Sequence, residues 1–260
     1  MKMNRRDFLS AAATTALASS INTSAMISEQ QPATAKRIRA IAFDALVIFD
    51  LGIVAKRAEG LFPGKGGELT NIWRTRQFEY TWLRTAGDRY RNFWQVTEDA
   101  LNYASARMGL HVSGDVHDHL MNSYRELQVW PDVRKTLADL RAQQLRMAFL
   151  SNFTAEMIKT NLKAAGLDSF FEDHLTTDRV QAFKPSPRAY QMGVDHFGCS
   201  QEEIAFAAFA PWDAAGAKWF GYPTLWINRT NVPQEELSVA PDLVTSKLSA
   251  PELLSHLLTD

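Results

Sequence analysis

Apolar residues recur along the chain in two rhythms. Residues 37–43 alternate basic and apolar and close on the run Ala40-Ile41-Ala42-Phe43, which predicts a buried strand with Asp44 at its carboxyl end. From about residue 54 to residue 119 the spacing changes to three and four. Leu69, Ile72 and Trp73 are followed by Phe78 and Trp82, then by Phe93, Trp94 and Ala100, with Gly64, Gly87 and Gly109 as punctuation. This stretch predicts helices and no strand. After Pro131, short apolar runs alternate with amphipathic stretches. They predict helices over 133–143, 155–165, 187–196 and 214–220, and strands over 145–150, 174–176, 204–209 and 224–227.

Strands alternating with helices imply a parallel sheet with right-handed crossovers. The expected fold class is therefore α/β. It is a doubly wound, Rossmann-like parallel sheet core, residues 37–54 and 130–260, with a helical cap domain, residues 55–129, inserted after the first strand. In such sheets ligands bind beyond the carboxyl ends of the strands. Four strand ends then carry the candidate chemistry: Asp44, Ser151 with Asn152, Lys184, and Asp213.

The amino terminus has a different character. Arg5-Arg6-Asp7-Phe8-Leu9 precedes a mild apolar run, residues 11–18. That order predicts a twin-arginine signal over residues 1–27, and the polar stretch 28–36, with Pro32, reads as a linker. The run is too short and too rich in Ala, Thr and Ser to span a membrane. The expected location is periplasmic, or cytoplasmic where the signal is not used, with no membrane partner once the signal is removed. Composition narrows the choice further. With 46% apolar residues in 260, the chain can bury a full core without staples. A single cysteine, Cys199, excludes an internal disulfide framework and any multi-cysteine metal site. A net charge of -1 argues against a nucleic-acid partner. His117-Asp118-His119 reads as a solvated loop between helices and not as a metal site.

More specific signals surround the four strand ends. They include Leu61-Phe62-Pro63-Gly64, Phe78-Glu79-Tyr80-Thr81-Trp82-Leu83-Arg84, Leu150-Ser151-Asn152, Lys184-Pro185, Trp212-Asp213-Ala214-Ala215-Gly216-Ala217 and Trp226-Ile227-Asn228-Arg229. In these stretches the chain resembles the haloacid dehalogenase superfamily and, within it, the type II L-2-haloacid dehalogenases. The resemblance implies a homodimeric hydrolase without metal or cofactor that removes halide from small 2-haloalkanoic acids through an aspartyl ester. Asp44 matches the nucleophile, whose carboxylate attacks the carbon bearing the halogen. Lys184 matches the lysine that keeps that carboxylate ionised. Ser151 matches the hydroxyl that orients the substrate carboxylate, and Asp213 the late acid that supports the lysine or the hydrolytic water. The resemblance assigns Arg74 and Asn152 to the departing halide, where fixed donors stabilise growing charge. It places Phe93 and Trp212 on the pocket wall and Tyr190 near the lysine, within the substrate-binding set. An N-cap role for Asp213 at the following helix is compatible with this assignment.

Three departures from the family pattern surround the nucleophile. The loop Asp44-Ala45-Leu46-Val47-Ile48-Phe49-Asp50 is one residue shorter than usual and lacks the usual tyrosine, glycine and threonine. Ala208 stands where a serine is usual, and Ala210 where an asparagine is usual. Both changes are expected to remove hydrogen-bond partners near the ester and the water. They motivate an alternative, a catalytically altered or inactive periplasmic protein that binds small carboxylates in the same fold. The superfamily's phosphatases carry a second aspartate two residues after the nucleophile and an acidic pair late in the chain. Here those places hold Leu46 and, after Asp213, Ala214 and Ala215, too few oxygen ligands for magnesium.

Overall fold

The computed structural model describes residues 38–257. The signal and linker expected over residues 1–36 lie outside the described residues. Strand β1 (Ala40–Phe43) is followed by a one-turn helix α1 (Ala45–Ile48) and a two-residue strand β2 (Phe49–Asp50). Four helices come next: α2 (Gly52–Leu61), α3 (Gly66–Ala86), α4 (Phe93–Arg107) and α5 (Asp115–Asn122). The chain returns through β3 (Gln128–Val129), which pairs antiparallel with β2. It then alternates through α6 (Val133–Ala142), β4 (Arg146–Ser151), α7 (Ala155–Ala165), β5 (His174–Thr176), α8 (Pro187–Phe197), β6 (Ile204–Ala208), α9 (Pro211–Phe220) and β7 (Thr224–Ile227). Strand β8 (Leu243–Thr245) and helix α10 (Ala250–Leu257) follow.

Six strands form one sheet in the order β5-β4-β1-β6-β7-β8, every neighbouring pair parallel. Alternation along the strands sorts their side chains into two cores. Ile41 and Phe43 of β1, Met147 and Phe149 of β4, and Ala205 and Ala207 of β6 join one cluster with α6, α7 and α10. Ala40, Ala42, Ala148, Leu150, Phe206 and Ala208 join the other, under α8 and α9. Both faces of the sheet are covered, so the central strands are apolar throughout, as parallel sheets require. The small residues on the second face leave room for Tyr190 and Tyr222, which pack on Phe206 with ring centroids 5.6 and 6.0 Å away.

In the helical insert, α3 buries Leu69, Trp73, Gln77 and Thr81, one row at i, i+4 spacing. The row turns polar halfway along, and internal bonds satisfy it. Trp73 Nε1 donates to Thr97 O at 2.7 Å and Gln77 Nε2 to Thr97 Oγ1 at 2.6 Å. Helix α4 opens on a capping box between Asn92 and Gln95. The insert is tied to the core by Tyr90, whose hydroxyl donates to Asp178 Oδ1 at 2.7 Å, and by Thr85 Oγ1, which accepts from Phe183 N at 3.0 Å. His117, Asp118 and His119 lie within α5 and not in a loop, and His117 is paired with Glu98.

Candidate active site

The carboxyl end of the sheet gathers the residues expected from the strand ends. Asp44 follows β1 in extended conformation and caps α1, its Oδ1 accepting from Leu46 N at 2.9 Å. Its other oxygen, Oδ2, accepts from Lys184 Nζ at 2.7 Å. The same ammonium donates to Asp213 Oδ2 at 2.6 Å and to Leu150 O at 3.2 Å. All three Nζ hydrogens are therefore committed within the protein. Lys184 is left with no Nζ hydrogen to donate to a further group. The Ser151 hydroxyl accepts from Phe153 N at 3.2 Å and keeps its own hydrogen to donate. Asn152 accepts from Lys184 N through Oδ1 at 3.0 Å, which leaves its amide nitrogen as a donor.

Burial separates the two carboxylates. The Asp44 side chain is 13% exposed, whereas those of Asp213 and Lys184 are 2% and 1% exposed. Asp44 is thus the carboxylate more open to a small molecule, with Lys184 behind it. Burial on its own would lower the Lys184 ammonium, but Asp213 and Asp44 together outweigh it and raise it. Burial raises the Asp213 carboxyl to about 6; Lys184 opposes the shift and the Asp44 charge adds to it.

Asp213 is not the N-cap of its helix. Pro211 occupies the first helical position, for which its fixed φ and missing N–H suit it, so α9 starts earlier than the sequence reading placed it. The cap is Ala210, with φ -86 and ψ 142, and no side-chain bond closes that end. Replacing Ala210 by serine should stabilise the fold by about 1 kcal/mol through the missing cap. Urea unfolding of the variant checks this.

Asp44, Ser151, Asn152, Phe93, Trp212 and Asp213 line one cavity between insert and core. Phe93 stacks on Phe153 at 5.3 Å, and Trp212 packs edge-on against Phe78, also at 5.3 Å. Three expected site residues do not line it: Lys184, Tyr190 and Arg74. Tyr190 is fully buried behind the cavity, where its hydroxyl donates to Asp213 Oδ1 at 2.7 Å. It does not line the cavity. Gly216 of α9 permits this approach, since a Cβ there would lie 2.5 Å from the Tyr190 hydroxyl. Arg74 is half-buried on α3 and lines two adjoining clefts that share Phe209 with the cavity. It makes no hydrogen bond or ion pair among the described residues. Ala208 is buried in the second core and does not line the cavity, whereas Ala210 does.

The sequence reading missed Gln77 and Tyr124, which line the cavity from the insert. Burial pushes the Tyr124 hydroxyl up to about 12, against the pull of the Arg74 charge. A polar residue continuing the row begun by Leu69 and Trp73 on α3 was the available signal for Gln77. Among the described residues no three His, Cys, Asp or Glu side chains gather as metal ligands.

The family model for haloacid dehalogenase-like hydrolases matches residues 48–221. The (S)-2-haloacid dehalogenase of Pseudomonas sp. (strain YL) is 38% identical over 82% of this chain and 92% of its own. The haloacetate dehalogenase H-2 of Moraxella sp. (strain B) is 38% identical over 83% of this chain and 96% of its own. The L-2-haloacid dehalogenase from Xanthobacter autotrophicus, solved with chloropropionic acid covalently bound, superposes with a TM-score of 0.78. It is 30% identical and covers 85% of this chain and 100% of that one. The chain belongs to the haloacid dehalogenase-like hydrolases, in the family of L-2-haloacid dehalogenases.

Proposed function

We propose that the protein is a hydrolytic dehalogenase of small 2-haloalkanoic acids and that Asp44 is its nucleophile. The observation that carries this reading is the unequal exposure of two carboxylates on one ammonium. Both carboxylates line the cavity, but Asp44 is the more exposed, at 13% against 2% for Asp213, and Lys184 lies behind them. An Asp44 oxygen attacks C2 in line, the new C–O bond forms, and the halogen leaves with the bonding pair. Water then adds to Cγ of Asp44, the acyl C–O bond breaks, and the 2-hydroxyalkanoate departs as the carboxylate is restored. Lys184 holds Oδ2 of the nucleophile and leaves the rest of its carboxylate facing the cavity. Ser151 and Asn152 offer the free donors for the substrate carboxylate and the halide, and Phe93 and Trp212 exclude water. Once Asp44 is esterified, Asp213 is the remaining carboxylate on the cavity wall and the base available to the water.

The mechanism needs no metal. The place between the two carboxylates is taken by the Lys184 ammonium, at 2.7 and 2.6 Å from them. The test is chloride release from chloroacetate and L-2-chloropropionate by the purified, folded protein. A small carboxylate that raises Tm without any turnover would instead support the binding-protein reading, to which the apolar Ala210 wall gives some ground.

The Asp213 carboxyl near 6 sets a pH dependence. As pH falls through about 6 Asp213 gains a proton, loses its attraction for Lys184 and can no longer serve as a base. The rate is expected to fall on that acid limb and to be level above it. A kcat profile from pH 4.5 to 9 checks this, and Asp213→Asn should remove the limb along with most of the activity. We further propose export on the Arg5-Arg6 signal, testable by fractionation, and a homodimer, testable by light scattering. Exposed Trp82 and Leu83 on α3 are candidates for such an interface.

A further inference from the structure

The stretch Trp226-Ile227-Asn228-Arg229 contributes nothing to the cavity, yet it ends in an arginine whose side chain is only 4% exposed. Arg229 makes a two-pronged pair with Asp132, Nη1 to Oδ2 at 2.8 Å and Nη2 to Oδ1 at 2.9 Å. Its guanidinium lies over the Trp130 ring, 4.7 Å from the centroid. Nη2 also donates to Val47 O at 3.0 Å. Trp130 reaches the same turn twice, through Nε1 to Leu46 O at 3.2 Å and through its backbone N–H to Ile48 O at 3.1 Å. Asp132 Oδ2 accepts in addition from Leu248 N at 2.9 Å, which anchors the group to the chain just before α10.

These bonds account for the backbone of α1. A single helical turn leaves most of its carbonyls without internal partners. Ala45 O is taken by Phe49 N, and the other three carbonyls of the turn are taken by Trp130 and Arg229. At its other end the turn offers Leu46 N to Asp44 Oδ1. The orientation of the Asp44 carboxylate is therefore linked, through one turn of backbone, to the segment by which the chain returns from the insert. We infer that Arg229, Asp132 and Trp130 are positioning residues that clamp the Asp44 turn and couple it to the insert's return strand. The catalytic part of this inference rests on the function proposed above.

The planar fork of Arg229 is what spans a carboxylate and a carbonyl at once, and lysine, with a point charge, cannot reproduce that. Two mild variants test the clamp. Trp130→Phe removes the bond to Leu46 O while keeping an aromatic ring beside the guanidinium, and Arg229→Lys keeps the charge. Each should speed amide exchange of the segment 44–49 about tenfold, and each should lower kcat roughly tenfold to a hundredfold with KM changed less than threefold, as expected of a slightly misplaced nucleophile. Arg229→Ala should regain part of its kcat on addition of guanidinium. The inference is overturned if either variant, measured well below its Tm, keeps wild-type exchange over 44–49 and a kcat within twofold. It is overturned equally if Tm falls while those two quantities stay put, since the group would then serve only stability. Should the wild-type protein release no chloride, the proposed function fails, and the exchange measurement still decides the clamp.

Discussion

Asp44→Asn is expected to stop halide release, with a loss on the order of 10⁴-fold or more, as for other nucleophile replacements. The amide can keep the bond from Leu46 N, so the turn should survive. It cannot supply the electron pair for the displacement. A second measurement follows the atoms. In a single turnover in heavy-oxygen water with enzyme in excess, water attacks the ester at Cγ, so the label should stay in the peptide carrying Asp44. The hydroxyacid should be unlabelled. Label in the product alone would mean that water attacks C2 directly, and Asp44 would lose its assigned role.

Lys184→Met is expected to damage both rate and fold. Lys184 is fully buried and is the cation within hydrogen-bond reach of Asp44 and Asp213. Without it two carboxylates face each other in a site from which water is largely excluded. Breaking a buried pair in this way costs about 3–5 kcal/mol. Urea unfolding at pH 7.5 measures that loss, and chloride release should fall by at least about 10³-fold. Adding Asp213→Asn to Lys184→Met removes the repulsion and should restore part of the stability while leaving the activity absent. That split would separate the electrostatic cost of the site from its chemistry.

The pattern of the chain gave the central strands nearly to the residue, because β1, β4, β6 and β7 are apolar runs buried on both faces. It missed β8, an edge strand with Val244 about half exposed, and it missed the two-residue pair β2–β3. Neither carries enough apolar contrast to register. Candidate site residues at strand ends were legible for a related reason, since a parallel sheet brings all its carboxyl ends to one side. Orientation was not legible. The family resemblance places Tyr190 near Lys184 but cannot say that the ring lies behind Asp213, and sequence spacing places Arg74 in the insert but not outside the cavity. The clamp was least legible of all. Arg229 and Asp132 stand 97 residues apart, and the carbonyl that Arg229 serves belongs to the first turn after β1.

The strand that carries Asp44 sits between β4 and β6, whose residues start at positions 146 and 204. During synthesis β1 is made first and waits longest for its partners. Until Ile204–Ala208 has left the ribosome, one full edge of Ala40–Phe43 has nothing to pair with, and an unpaired apolar edge invites association with other chains. Contacts of such long sequence separation also make folding slow. A nascent chain stopped before residue 204 is thus a hazard, not a partly working enzyme, and the cavity comes into being only when nearly the whole chain is available.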